Sequence, residues 1–205
     1  IVGQAAEGTL FLHEVADLTP LQQRNLLAHT AKHERTNALV VFDFAASGAL
    51  PRVAHAGEIG GPDSVRDALT FLGAERIGHG IAATRDPELA AALREQRVHL
   101  EICPTSNLRT GALARQIGRD HAELQHHPLP ALFRAGVLLS VSTDDPAMFD
   151  TDLLREYLSL IEMGLSPREL ARIAMAAFQG AFLPAAEKFS YVNVFTRQAT
   201  AADLT

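Results

Sequence analysis

Reactive side chains fall at regular intervals along this 205-residue chain. His55 and Glu58 lie three apart, His79 stands alone before a glycine, Glu101 and Cys103 alternate, and Asp144 and Asp145 are adjacent. Imidazoles and carboxylates are the groups that ligate metal ions and move protons near neutral pH. Two neighbouring aspartates would repel each other in a dry pocket unless a cation or a donor offset one of them. Taken singly, each residue also has a plain explanation. His55 is as readily a hydrogen-bonded core histidine. Asp144 is as readily a turn residue before Pro146, and Glu101 a structural ion-pair partner. Cys103 has no base near it in sequence and reads as a small buried apolar residue. His29 and His33 have helical i, i+4 spacing but no third ligand, which fits a solvated helix face. His126-His127 before Pro128 reads as a loop.

The elements that must carry these groups are short apolar strands alternating with amphipathic helices. The strands are expected at Ala38–Phe44, Arg52–Ala56, Arg76–His79, His99–Cys103 and Leu138–Ser142, each nearly continuous in apolar residues, as for a parallel sheet buried on both faces. Helices are expected at Leu21–His33, Asp63–Leu72, Pro87–Glu95, Leu129–Ala135, Thr151–Met163 and Pro167–Gln179, the last with Ser166 as its N-cap. Such alternation implies βαβ crossovers, in either a doubly wound open sheet or an eight-stranded barrel. No G-x-G-x-x-G follows the first strand, so the dinucleotide fold lacks its fingerprint. Reactive groups collected at successive strand C-termini are what a barrel active site requires, because those ends share one rim.

Composition bounds the class. With 47% hydrophobic and 20% charged residues, the chain suits a single α/β domain over 1–205. A net charge of -6 argues against a nucleic-acid partner. Apolar runs of strand length argue against a membrane span. One cysteine fits a reducing compartment, so a cytoplasmic location is expected.

Four strings occur in order: His55-Ala-Gly-Glu58, Arg76-Ile-Gly-His79-Gly80, Glu101-Ile-Cys-Pro-Thr-Ser-Asn107 and Ser142-Thr-Asp-Asp-Pro146. Together with Gly60-Gly61-Pro62, His127-Pro-Leu and Phe182-Leu-Pro-Ala-Ala-Glu-Lys188, they resemble the adenosine deaminase family over roughly residues 38–188. The resemblance implies a TIM-type β/α barrel of the metal-dependent hydrolase kind. About five of its eight strands would lie in this chain. It implies one zinc ion, a purine nucleoside substrate, and deamination by a metal-activated water. It assigns His55 and Asp144 to the metal and Glu58 to protonation of the purine ring nitrogen. His79 becomes the base that orients and deprotonates the water. Asp145, Gly57 and Ala46 are placed against the substrate. Bacterial members include enzymes for adenosine and for the larger aminofutalosine, and both remain open.

The chain departs from the family pattern in specific places. No His-x-His occurs anywhere in the sequence, although the family draws two metal ligands from that motif. His55 and Asp144 alone would hold zinc weakly. Between Phe44 and Arg52 there is no room for a crossover helix. Ala176-Ala177-Phe178 stands where the family has Asn-Ser-Phe. Residues 1–20 and 189–205 carry no resemblance. A truncated relative that binds purines without turning them over is therefore an alternative.

Overall fold

A computed structural model describes residues 51–204. Four strands, β1 (Val53–Ala56), β2 (Arg76–His79), β3 (His99–Ile102) and β4 (Leu139–Val141), form one sheet in the order β1-β2-β3-β4. Every adjacent pair is parallel. A doubly wound sheet reverses its order at a switch point, whereas strands laid down in chain order build the wall of a β/α barrel. The described residues form such a wall, an incomplete barrel. The expected strand Ala38–Phe44, the helix Leu21–His33, and His29, His33 and Ala46 lie outside the described residues.

Helix starts follow local chemistry. Helix α1 (Pro62–Phe71) begins with proline in its first turn after Gly60-Gly61. Helix α2 (Pro87–Glu95) is capped by Asp86, whose side chain accepts from Leu89 N. Short helices α3 (Pro104–Arg109) and α4 (Ala112–Ile117) follow β3. Helix α5 (Leu129–Arg134) leads into β4, and α6 (Pro146–Phe149) is a single turn after it. Helices α7 (Leu153–Glu162), α8 (Pro167–Gly180) and α9 (Ala185–Ala201) complete the chain. Ser166 caps α8 as expected, in a reciprocal capping box with Glu169.

The register sorts the strand residues by face. Ala54, Ile77, Leu100 and Leu139 pair across the sheet and are fully buried against Val65, Leu89, Leu93 and Leu129 of the helices. On the opposite face, His55, Gly78, Glu101 and Ser140 are in register. That face is polar, which corrects the expectation of strands that are apolar on both sides. Arg76 Nη1 meets Glu101 Oε1 at 2.7 Å, and His99 Nε2 meets Ser140 Oγ at 2.8 Å. Both pairs join adjacent strands, so each polar group finds its partner only once the sheet forms.

Helix α9 has no counterpart in the sequence expectation. Its apolar residues Phe189, Tyr191 and Val194 are exposed and only Ala199 is buried, so it presents no single apolar stripe to the core. Helices α3, α4 and α6 have six, six and four residues, too few to show a period.

Candidate active site

The strand C-termini gather the polar residues at one rim. Beyond β1, residues 57–61 form a tight loop held from two sides. Gly57 has φ +66°, and a Cβ on it would lie 2.6 Å from Val65 Cγ2 and 3.2 Å from Gly80 Cα, so only glycine fits. Gly57 N–H donates to Ser64 Oγ at 2.9 Å, and the Ser64 hydroxyl donates to Gly61 O at 2.7 Å. From the other side, Gln116 Nε2 donates to Glu58 O at 2.7 Å and to Gly60 O at 2.8 Å. Arg85 Nη1 holds the Gln116 Oε1 at 3.0 Å. The backbone beneath Glu58 is thus pinned by buried donors.

Strand alternation alone would send His79 to the helix-covered face with Ile77. Its left-handed backbone, φ +62°, breaks that alternation at the strand end. The ring meets His55 edge to face, with centroids 5.0 Å apart. Its Nε2 stands 3.5 Å from Glu58 Oε2 and 4.0 Å from Asp144 Oδ2. Asp144, beyond β4, has φ +62° as well. Left-handed conformations in non-glycine residues cost on the order of 1–3 kcal/mol each and cluster at functional sites. Two of them here face the same few ångströms of space. Asp144 is steadied by the buried Ser106 hydroxyl, which donates to Oδ2 at 2.7 Å.

Electrostatics separate the groups. Burial, then the nearby Asp144 charge, raises the Glu58 pKa above the usual carboxylate range; a hydrogen bond from Thr110 and the Arg115 charge offset part of this. Burial, then His55, lowers the His79 pKa, with Asp144 acting in the opposite sense. Glu58 is therefore biased toward the protonated acid and His79 toward the neutral imidazole.

The remaining expectations sort plainly. Glu101 is the ion-pair partner of Arg76. Cys103 is buried, and its thiol pKa is pushed far up by that burial and by surrounding carboxylates. Asp145 lies on the rim, but its Oδ1 caps α6 by accepting from Met148 N at 2.9 Å. His127, expected in a loop, is fully buried and bonded to Asn107. Ser106, Asn107, Gln116, Gly78 and His127 were given no role from sequence. All but Gln116 sit inside the quoted strings, and the partners of Ser106, Asn107, Gln116 and His127 in other elements lie 20 to 58 residues away. An apolar cavity of about 320 Å³ between α5, β4, α8 and α9 contains no acid and no histidine, so it does not carry this chemistry.

Imidazole and carboxylate are donors that suit zinc, so His55 and Asp144 fit as part of a site. Among the described residues, no group of three or more His, Cys, Asp or Glu could hold an ion. Tight binding would draw further donors from outside them.

The chain matches the family model described as adenosine deaminase over residues 17–195. It is 45% identical over 148 residues to the aminodeoxyfutalosine deaminase of Streptomyces avermitilis, covering 72% of this chain and 39% of that protein. It is 40% identical over 136 residues to the adenosine deaminase of Shewanella loihica, covering 66% of this chain and 39% of that one. The adenine deaminase structure from Arthrobacter aurescens superposes with a TM-score of 0.69 at 28% identity, over 95% of this chain and 53% of that chain. The chain spans about two fifths of the length of these two curated relatives. With its parallel sheet in barrel order and its motifs at the strand ends, the chain belongs to the adenosine deaminase family.

Proposed function

We propose that the full-length protein is a zinc-dependent hydrolase that converts an adenine nucleoside to its inosine-type product and ammonia. The observation that carries this is the convergence of Glu58 and Asp144 on His79 Nε2, at 3.5 and 4.0 Å, on the rim of a parallel β/α sheet. A zinc ion held in part by His55 and Asp144 would supply a water whose pKa is lowered to about 7. The protein's own groups account for the rest. Water adds to an aromatic ring carbon only as the adjacent ring nitrogen is protonated, and the raised pKa of Glu58 supports its assignment as the acid that does this. His79 Nε2 faces the same space and orients the attacking oxygen. Asp145 keeps Oδ2 for a substrate N–H while Oδ1 caps α6. Gly57 keeps its proposed place in the loop beside the substrate. The Gly57 N–H is engaged by Ser64, its carbonyl accepts from Ala82 N–H, and a Cβ would run into Val65 and Gly80, so the glycine supports the tight turn that carries Glu58.

The substrate class follows the relatives' names, which span adenosine, adenine and aminodeoxyfutalosine. The 45% identical relative favours a nucleoside larger than adenosine as the second reading. A cytoplasmic setting rests on the single, buried cysteine.

The test is ammonia release by the full-length protein from adenosine, adenine and aminodeoxyfutalosine, alongside Glu58→Gln. General acid catalysis is worth about 10²–10⁴-fold, so turnover should fall that far while purine binding persists. A variant keeping about a tenth or more of the wild-type rate would remove Glu58 from this role. Purine binding without ammonia release by the wild type would favour a non-catalytic relative.

A further inference from the structure

Behind His79 lies a buried chain of hydrogen bonds that the proposed reaction does not use. Leu129 N–H donates to His127 Nδ1 at 3.1 Å. His127 Nε2 meets Asn107 Oδ1 at 3.3 Å, and Asn107 Nδ2 meets His79 Nδ1 at 3.0 Å. The three side chains belong to residues only 4%, 0% and 1% exposed, so water does not compete for these bonds.

The backbone amide at one end sets the direction of every bond. An amide N–H always donates, so His127 Nδ1 must offer a lone pair. A neutral imidazole with one bare nitrogen carries its proton on the other. His127 Nε2–H therefore donates to Asn107 Oδ1. With its oxygen turned to His127, the Asn107 amide presents an N–H to His79, and His79 Nδ1 must accept it. By the same rule the His79 proton sits on Nε2, the nitrogen that faces Glu58 and Asp144.

We propose that His127 and Asn107 are positioning residues that lock His79 as the Nε2–H tautomer, so that it offers a hydrogen-bond donor to an oxygen bound between Glu58 and Asp144. This rests on the proposed function and departs from the base role that the family resemblance implies for His79, because neutral His79 then has no lone pair with which to take the water's proton. For His79 to act as the base, its proton would have to start on Nδ1. Asn107 would then have to reverse its amide, and His127 would carry its proton on Nδ1. Two hydrogens, from Leu129 N and His127 Nδ1, would then meet head on. The arrangement leaves a carboxylate, not His79, as the lone-pair group facing that oxygen, with His79 orienting it and stabilising charge that develops on it.

Long-range ¹H–¹⁵N spectra of the histidine rings read the tautomer directly in the ¹⁵N-labelled full-length protein, with His79→Gln and His127→Gln assigning the signals. His79 and His127 should each show a protonated Nε2 and a bare Nδ1. A His79 proton on Nδ1 overturns the proposal. Asn107→Asp replaces the amide with a group that only accepts and so draws the His79 proton to Nδ1. A wrong histidine tautomer costs up to about 10⁴-fold in kcat in a well-studied hydrolase. Asn107→Asp should accordingly lower kcat by at least about 10²-fold and change KM far less. A variant showing Nδ1–H that keeps about a tenth or more of wild-type kcat overturns the proposal. If Asn107→Asp does not fold, the wild-type spectrum decides alone. Absence of turnover by the wild type defeats the deaminase reading, while the spectrum still decides the tautomer.

Discussion

His55 and Gly78 face each other in register across β1 and β2, and the imidazole occupies the place a side chain on residue 78 would need. A Cβ on Gly78 would stand 2.6 Å from His55 Cδ2 and 3.0 Å from Nε2. The glycine is what allows the ring to lie over the neighbouring strand. Gly78→Ala should turn that ring, at a cost of about 1–3 kcal/mol in stability from overpacking. If His55 is a metal ligand, metal affinity should fall as well. Chemical denaturation and zinc titration of the full-length variant check both. An unchanged zinc affinity with a lowered stability would remove His55 from the metal.

Ser106 has a comparable relation to Asp144, donating to Oδ2 at 2.7 Å from a fully buried position. Groups that orient a ligand from behind typically contribute about 10–100-fold in metal affinity. Ser106→Ala should lower zinc affinity by that amount, and Ser106→Thr should restore part of it. Competition against a chelator of known affinity is the measurement. No loss in Ser106→Ala would mean that Asp144 does not need this hydroxyl to hold a metal.

Gln116 is expected to matter for turnover although it touches no proposed substrate atom. Its two bonds fix the carbonyls of Glu58 and Gly60. Gln116→Leu would leave those acceptors and Arg85 short of a partner, costing about 1–3 kcal/mol per unsatisfied buried group. The loop under Glu58 would then shift. A misplacement of about 1 Å costs up to 10²-fold in rate, so kcat should fall while KM changes less. Equal kcat in variant and wild type would show that the loop holds its shape by Ser64 and Gly57 alone.

His99 makes stability depend on pH. Burial, followed by the Arg76 charge, lowers its pKa to about 4, against about 6.5 in an unfolded chain. Between those values the unfolded state binds the extra proton, so the stabilising contribution is present above about pH 6.5 and is lost as pH falls toward 4. From pH 7 to pH 5 the loss due to this residue is on the order of 2 kcal/mol. His99→Gln, which can still bond Ser140, should show a smaller loss over that interval in urea unfolding. An identical pH dependence in the variant would show that His99 takes up its proton without unfolding.

Much of the site was legible in the strings themselves. The sequence placed His55, Glu58, His79, Asp144 and Asp145 at strand ends because a short apolar run followed by polar residues is a local pattern, and two expected strand–helix boundaries agree to the residue. Arg76–His79 and Pro87–Glu95 are the elements concerned. The capping of α8 by Ser166 was legible for the same reason, since donor and acceptor are three residues apart. The family membership needed only the order of the motifs.

Other features depend on residues distant in sequence that tertiary structure brings together. The barrel order of the strands was left open by alternation alone, because helix-linked strands build either a doubly wound sheet or a barrel until their neighbours are known. The polar inner face was hidden because Arg76 and Glu101 are 25 residues apart, and His99 and Ser140 are 41 apart. Asp145 shows both levels at once. Its place after Asp144 is a matter of sequence, whereas the fold commits one of its oxygens to the N-terminus of α6. The conformation of His79 was equally unreadable, since a left-handed non-glycine backbone is imposed by its surroundings and not by its own preference. What the residues by themselves determined was which groups could do chemistry and on which strands they ride. What only the tertiary structure decided was which of them meet, and how each is held by partners from other strands and helices, because hydrogen bonds across 20 to 58 residues leave no period or spacing in the chain.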